Sequence, residues 1–264
     1  MNNGREGLRR LAAIFICMSL LAWLALPVLG GAEESTAELL EAFTLRHGDR
    51  SVKKVAITID DCYKNRRENI LKDVELCRTY GVRMTFFPID YTGCMTENYR
   101  EIWQAVLDAG CEIGTHSYSH LHIGKRDNLG ILRALGRWQE DLDKTLGYHY
   151  ETRWFRPPYG SVEDTRSGKG NARVVKLIKR YGFEHVVCWD VSENDPDKAM
   201  TKIQNGSICL FHAIAKDTKC LEKLIPALLE EGYELVTVSE LFGFDPPETG
   251  GDLYVFNKAD YEGK

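Results

Sequence analysis

Beyond its first ten residues the chain has no block of Lys or Arg, and its formal net charge of −5 is spread along the sequence. Nucleic-acid partners are excluded on that ground, because a phosphate-binding surface needs clustered cations. Internal repeats and low-complexity tracts are also missing, which sets aside fibrous and disordered classes. Regular cysteine spacing is absent too. Of eight cysteines, Cys17 lies near the N-terminus and the others, Cys62, Cys77, Cys94, Cys111, Cys188, Cys209 and Cys220, form an odd, irregular set. No disulfide framework follows from such a set. Cys77, Cys111, Cys188 and Cys209 stand where a small apolar residue would, and free cysteine packs like one.

A long uncharged apolar run occurs at Leu11–Leu29, with Arg5, Arg9 and Arg10 before it and Gly30-Gly31-Ala32 after it. This is the layout of a secretory leader, although its length also approaches that of a spanning helix. Residues 1–32 therefore read as a cleaved signal peptide or a retained anchor. Either way the remainder is expected outside the cytoplasm, with membrane contact confined to this segment. Residues 33–50 read as a linker or short leading helix (Ala37–Phe43), residues 51–244 as one domain and residues 245–264 as a polar, loosely held tail. A hydrophobic content of 44% is enough to build the domain core.

Within the domain, β-branched and apolar runs alternate with helical periodicity. Val52–Ile59, Val82–Ile89, Cys111–Gly114, Arg153–Phe155, Phe183–Trp189, Ser207–Phe211 and Glu234–Val238 read as strands. Between them, Arg67–Tyr80, Thr96–Ala109, Asn128–Leu146, Asn171–Tyr181 and a segment carrying Leu221, Leu224, Ile225, Leu228 and Leu229 read as helices, several stopped by glycine. Pro226 inside the last of these implies a kink or a late start. Strand–helix alternation implies an α/β fold with a parallel sheet, doubly wound or closed as a barrel, with its chemistry at the C-terminal strand ends.

At one such end stand Asp60 and Asp61, two acids whose mutual repulsion calls for a cation or a proton. His116 and His120, in His116-Ser117-Tyr118-Ser119-His120, have i, i+4 spacing that lets two imidazoles face one ion on a helical turn. With Asp61 they make two histidines and a carboxylate, a set that leaves positions open for water and substrate. Asp60, beside the ion, is then the candidate general base. Helix capping by the acid pair is the plainer alternative. Arg156-Pro157-Pro158-Tyr159-Gly160 reads as a rigid loop with free Tyr159 and Gly160 amides, its arginine either exposed or clamping Asp60. His212 closes the buried run Ile208–Phe211 and is a candidate proton donor or a satisfied core histidine.

These motifs, in this order, resemble those of the polysaccharide deacetylases of carbohydrate esterase family 4, from about Lys53 to Phe242. Thr58-Ile59-Asp60-Asp61 is similar to TFDD, the histidine pair to HSxxH, Arg156-Pro157-Pro158-Tyr159 to RxPY, and Leu210-Phe211-His212 to LxH. The resemblance implies a distorted parallel (β/α) barrel of about seven strands and a divalent metal, zinc before Co2+, Mn2+, Ni2+ or Fe2+, on Asp61, His116 and His120. It also implies that Asp60 deprotonates metal-bound water, Arg156 orients Asp60, and His212 protonates the leaving amine. Tyr159, Pro157 and Leu210 would meet the substrate, through the Tyr159 amide and a methyl pocket at Leu210. The implied activity is hydrolysis of N-acetyl groups on N-acetylglucosamine of a cell-wall glycan, peptidoglycan before others. The alternatives are an O-acetyl esterase on xylan-type polysaccharide and a weakly active glycan-binding protein of the same fold. Two positions depart from the family pattern. Cys62 replaces the glycine after the acid pair, and Trp189–Pro196 retains Asp195 as the expected partner of His212, with Asp190 in reserve.

Overall fold

Strand β2 (Lys54–Asp60) is buried at every position after Lys54, so both of its faces need cover and both of its edges need partners. The computed structural model describes residues 36–91, 93–162, 172–257 and 259. The expected leader, residues 1–32, lies outside them. Parallel strands flank β2: β6 (Ile208–His212) along one edge, and β3 (Thr85–Phe87) and β7 (Glu234–Val236) at the two ends of the other. Strand β4 (Glu112–Ile113) pairs with β3. A short second sheet joins β1 (Thr44–Leu45) to β5 (Val186–Val187). Single bridges carry the pairing onward, from Thr115 to Phe155, from Phe155 to Val186, and from Val191 to Cys209 of β6. The result is an α/β fold with parallel sheets, and it gathers the C-terminal ends of β2, β3, β4 and β6 on one side.

Helices α1 (Thr36–Phe43), α2 (Arg67–Tyr80), α3 (Arg100–Asp108), α4 (Asn128–Leu146), α5 (Ala172–Tyr181), α6 (Pro196–Lys202), α7 (Ala215–Glu230) and α8 (Val238–Leu241) accompany the strands. Helix α7 runs through Pro226 without a break. The carbonyl that loses its partner there belongs to Glu222, an exposed residue, so water replaces the missing bond. The expected strands Val82–Ile89, Cys111–Gly114 and Phe183–Trp189 shorten to Thr85–Phe87, Glu112–Ile113 and Val186–Val187, and Arg153–Phe155 is reduced to the bridges of Phe155. The strand expected over Glu234–Val238 stops at Val236 because Thr237 and Glu240 form a reciprocal cap that opens α8.

The described parts of both expected flanking segments contact the domain. Phe43 is buried, Thr44 and Leu45 pair with Val186 and Val187, and Arg50 binds Asp190 at 2.7 Å. In the tail, Thr249 bridges Tyr150, and the Tyr254 amide donates to the buried Asp143 carboxylate at 2.8 Å. The Phe256 ring lies against Gly136 so closely that a Cβ there would come within 2.0 Å of it. Polarity of residues 245–257 hides this in the sequence, since the anchoring features sit on α4.

Asp73 of α2 is fully buried against α7, its Oδ1 accepting from Thr218 at 2.8 Å and its Oδ2 unpartnered. Burial raises its pKa from 3.8 to about 7. An acid whose folded pKa lies above its unfolded one stays protonated in the fold while the unfolded chain ionises, so stability falls as pH rises from about 4 to about 7. Asp73→Asn should flatten that decline, by an amount on the order of 3 kcal/mol. Urea unfolding at pH 5 and pH 8 checks it, and parallel losses in both proteins would remove Asp73 as the cause.

Candidate active site

Asp60 ends β2 opposite His212 of β6 in the parallel register, so one strand pair delivers an acid and a histidine side by side. The chain then turns sharply at Asp61, which has φ 54°. The other non-glycine residues with positive φ among those described are Ser117 and Tyr159, also at this end of the fold. Side chains rarely adopt this conformation, and its concentration at one place marks a site whose geometry overrides local preference. At Gly114, two residues before His116, a Cβ would meet the Phe87 ring at 2.3 Å, so only glycine lets the β4 extension approach β3.

His116 and His120 do not lie on a helical turn. Ser117, in the left-handed region, redirects the chain, and its hydroxyl donates to the Ser119 carbonyl at 2.9 Å. The two imidazoles meet edge to face with centroids 5.1 Å apart. Tyr159 packs on His120, and His122 stacks on Tyr159 at 4.0 Å, a support for the second histidine that its sequence position does not announce.

Arg156 is buried and has no access to water. Its guanidinium donates to Asp60 Oδ1 at 2.8 Å, to the Thr58 hydroxyl at 2.6 Å, and to the Val187 and Cys188 carbonyls at 3.1 and 3.0 Å. It also lies 4.3 Å over the Phe87 ring. A buried charge is tolerable only when so many partners replace its hydration. Its backbone serves a second residue, because the Arg156 carbonyl lies 2.7 Å from His116 Nδ1. That contact places the proton on Nδ1 and leaves Nε2 with a free lone pair. One residue thus aims both Asp60 and His116.

Asp61 Oδ1 lies 3.8 Å from Nε2 of His116 and 3.8 Å from Nε2 of His120, and it is buried without a hydrogen-bond partner. Ligand atoms of the three residues fall within 4.8 Å of one another. Burial lowers the His116 pKa, which keeps its imidazole neutral and ligating. An orphaned carboxylate oxygen facing two imidazoles, one held by a carbonyl behind it, fits a divalent cation. The donor set does not identify the metal.

Asp60 Oδ2, the oxygen that Arg156 leaves free, lies 3.8 Å from His116 Nε2. Across the site, Asp217 Oδ2 accepts from the His212 amide at 2.7 Å and faces His212 Nδ1 at 3.4 Å. That contact raises the His212 pKa, with Asp60 and Asp61 adding to the effect. Asp217 therefore stands where Asp195 was expected. Asp195 instead caps α6 by accepting from the Lys198 amide, and Asp190 is engaged by Arg50, Ser207 and the Ile208 amide. The signal for Asp217 is local: it falls in the first turn of the helix that follows the His212 strand. Leu210 and His212 line a cavity of about 120 Å³ with Ser192, Asn194 and Asp217. Of the proline loop, Pro157 is buried and its carbonyl takes the Gly160 amide at 2.9 Å, so that amide is not free. Tyr159 is exposed at the rim. Cys62 points into the core, its thiol 3.7 Å from the Ile59 carbonyl and its pKa raised by burial, and so takes no part in the metal set.

A model of the polysaccharide deacetylase family matches residues 47–186, more than half of the chain. The chain belongs to the polysaccharide deacetylase family. Its relatives include the uncharacterized protein YlxY of Bacillus subtilis, 28% identical over 215 residues, covering 77% of this chain and 62% of YlxY. The peptidoglycan-N-acetylmuramic acid deacetylase PdaC of the same organism is 28% identical over 203 residues, covering 73% of this chain and 39% of PdaC. The chain thus spans less than two thirds of either relative. Among solved structures, BA3943 of Bacillus anthracis, a CE4 family pseudoenzyme, matches with TM-score 0.64 at 25% identity, over 76% of this chain and 69% of that one. A mutant of BA3943 with restored enzymatic activity matches equally well. Membership of the family alone therefore does not guarantee turnover.

Proposed function

We propose that this chain is a metal-dependent deacetylase that hydrolyses N-acetyl groups on N-acetylglucosamine residues of a cell-wall glycan, peptidoglycan before others, outside the cytoplasm. The observation that carries it is Arg156, which holds Asp60 through its side chain and His116 through its carbonyl beside the unpartnered oxygen of Asp61. Asp61, His116 and His120 would hold a divalent cation, whose Lewis acidity would polarise an acyl oxygen and acidify water. Asp60, held by Arg156 through one oxygen, uses the other to take the proton of the attacking water. His212, its pKa raised by its contact with Asp217, gives a proton to the departing amine. The Tyr159 amide steadies the oxyanion, and Leu210 receives the acetyl methyl in the small cavity beside His212. Family neighbours named as peptidoglycan deacetylases support the choice of glycan.

Metal content and rate should separate the two histidines. His116→Ala should lose the ion and all activity, whereas His212→Ala should keep the ion and lose rate by about 100-fold. Equal metal loss in both would reassign His212 to the metal set. Activity should fall on the alkaline side as His212 loses its proton. Asp217→Asn removes the anion that raises the His212 pKa, so the alkaline limb of the rate profile should move to lower pH. An unmoved limb would detach Asp217 from the proton donor. Acetate release from acetylated xylan, with none from peptidoglycan or chitin oligomers, would instead assign an O-acetyl esterase.

A further inference from the structure

The loop that follows Asp61 opens into a cleft of about 640 Å³ that the deacetylation chemistry does not use. Tyr63, Tyr91 and Tyr99 line it together with Arg66. Tyr63 ties the cleft to the metal residues, because its backbone amide donates to the Asp61 carbonyl at 2.7 Å. Tyr91 is more than half exposed, while Tyr99 is buried and held by the Lys64 carbonyl, so the cleft has one fixed and one accessible ring. Such rings present flat apolar faces with a polar rim, the surface on which a sugar ring stacks.

Arg66 is the unexplained residue. It is half-buried, and its Nε is shielded from water without a hydrogen-bond partner. Among the described residues no carboxylate lies within salt-bridge distance of its guanidinium. Arg156, which is fully buried, has an acceptor for every guanidinium nitrogen, whereas Arg66, half-buried, has none for its shielded Nε. An unsatisfied, partly desolvated guanidinium at the wall of an open cleft is suited to a planar anion supplied by a ligand.

We infer that this cleft is a subsite for a carboxylate-bearing group on the glycan, next to the sugar that loses its acetyl group, with Arg66 taking the carboxylate and Tyr63 and Tyr91 the sugar ring. This rests on the deacetylase assignment above, and it makes Arg66 a specificity-determining residue. The carboxylate has two chemical sources in such a glycan, a lactyl ether on the neighbouring sugar or a peptide attached through it, and the experiment separates them.

Binding is measured by calorimetry on the metal-loaded full chain with three oligosaccharides of equal length. One carries a free lactyl carboxylate on alternate sugars, one carries that carboxylate as its neutral amide, and one carries a short acidic peptide amide-linked to it. The free carboxylate should bind about tenfold tighter than the neutral amide, and the difference should vanish in Arg66→Gln and return in part in Arg66→Lys. Preference for the peptide form alone would move the anion from sugar to peptide and leave the subsite in place. Equal affinity for all three in the wild type, or a preference that survives Arg66→Gln, would overturn the inference. Unchanged affinity of Arg66→Gln for the neutral amide shows that the variant is folded. Acetate release from the neutral amide, measured in parallel, judges the deacetylase assignment separately, since it requires no contribution from Arg66.

Discussion

Replacing Asp60 with Asn should lower acetate release by about a thousandfold while leaving the metal content unchanged. The amide keeps an oxygen to accept from Arg156 and keeps the size of the side chain, so the fold has no reason to respond. It loses the basicity needed to take a proton from water. Metal should stay because Asp60 spends Oδ1 on Arg156 at 2.8 Å and the ligand cluster consists of Asp61, His116 and His120. Metal analysis beside an acetate assay reads both quantities. Loss of the ion together with activity would make Asp60 a ligand; activity within tenfold of wild type would remove it as the base.

The second large effect is structural. Arg156→Met should destabilise the protein by about 3–5 kcal/mol, because it leaves the buried Asp60 carboxyl without its counter-charge and strands the Thr58, Val187 and Cys188 acceptors. For a domain of this size that is a fall in melting temperature on the order of 10 °C. Adding Asp60→Asn to it should recover part of the loss, since the uncompensated charge is then gone. Circular-dichroism melts of the two single variants and the double variant form the cycle. Strictly additive losses would show that Arg156 acts on the fold through its carbonyl acceptors and not through Asp60.

The candidate metal set, which the structure brings together, was legible from residue type and order, because few chemistries need two histidines and an acid at neighbouring strand ends. How the ligands come together was not. The i, i+4 spacing of His116 and His120 suggests a helical turn, yet the structure uses a left-handed residue at Ser117, and nothing in a serine announces that conformation. The partner of His212 was missed for a related reason. Matching along the sequence favours Asp195, but a carboxylate acts through space, and Asp217 reaches His212 from the next helix while Asp195 is spent on a cap. Strand lengths were overestimated where apolar runs continue past the last ladder bond, as at Val82–Ile89, since burial and pairing are separate properties. The docked tail escaped notice because its anchors, Asp143 and Gly136, lie more than a hundred residues before it.

Likeness to a pseudoenzyme with the same fold makes turnover the point on which the functional assignment stands or falls. The direct measurement is made on one wild-type preparation: divalent metal per chain, and acetate released from peptidoglycan, chitin oligomers and acetylated xylan before and after chelation. The expected result is one ion per chain and acetate from an N-acetylated glycan, lost on chelation and restored by zinc. One bound ion per chain with no acetate from any of these glycans would contradict it and leave a metal-binding glycan receptor in its place.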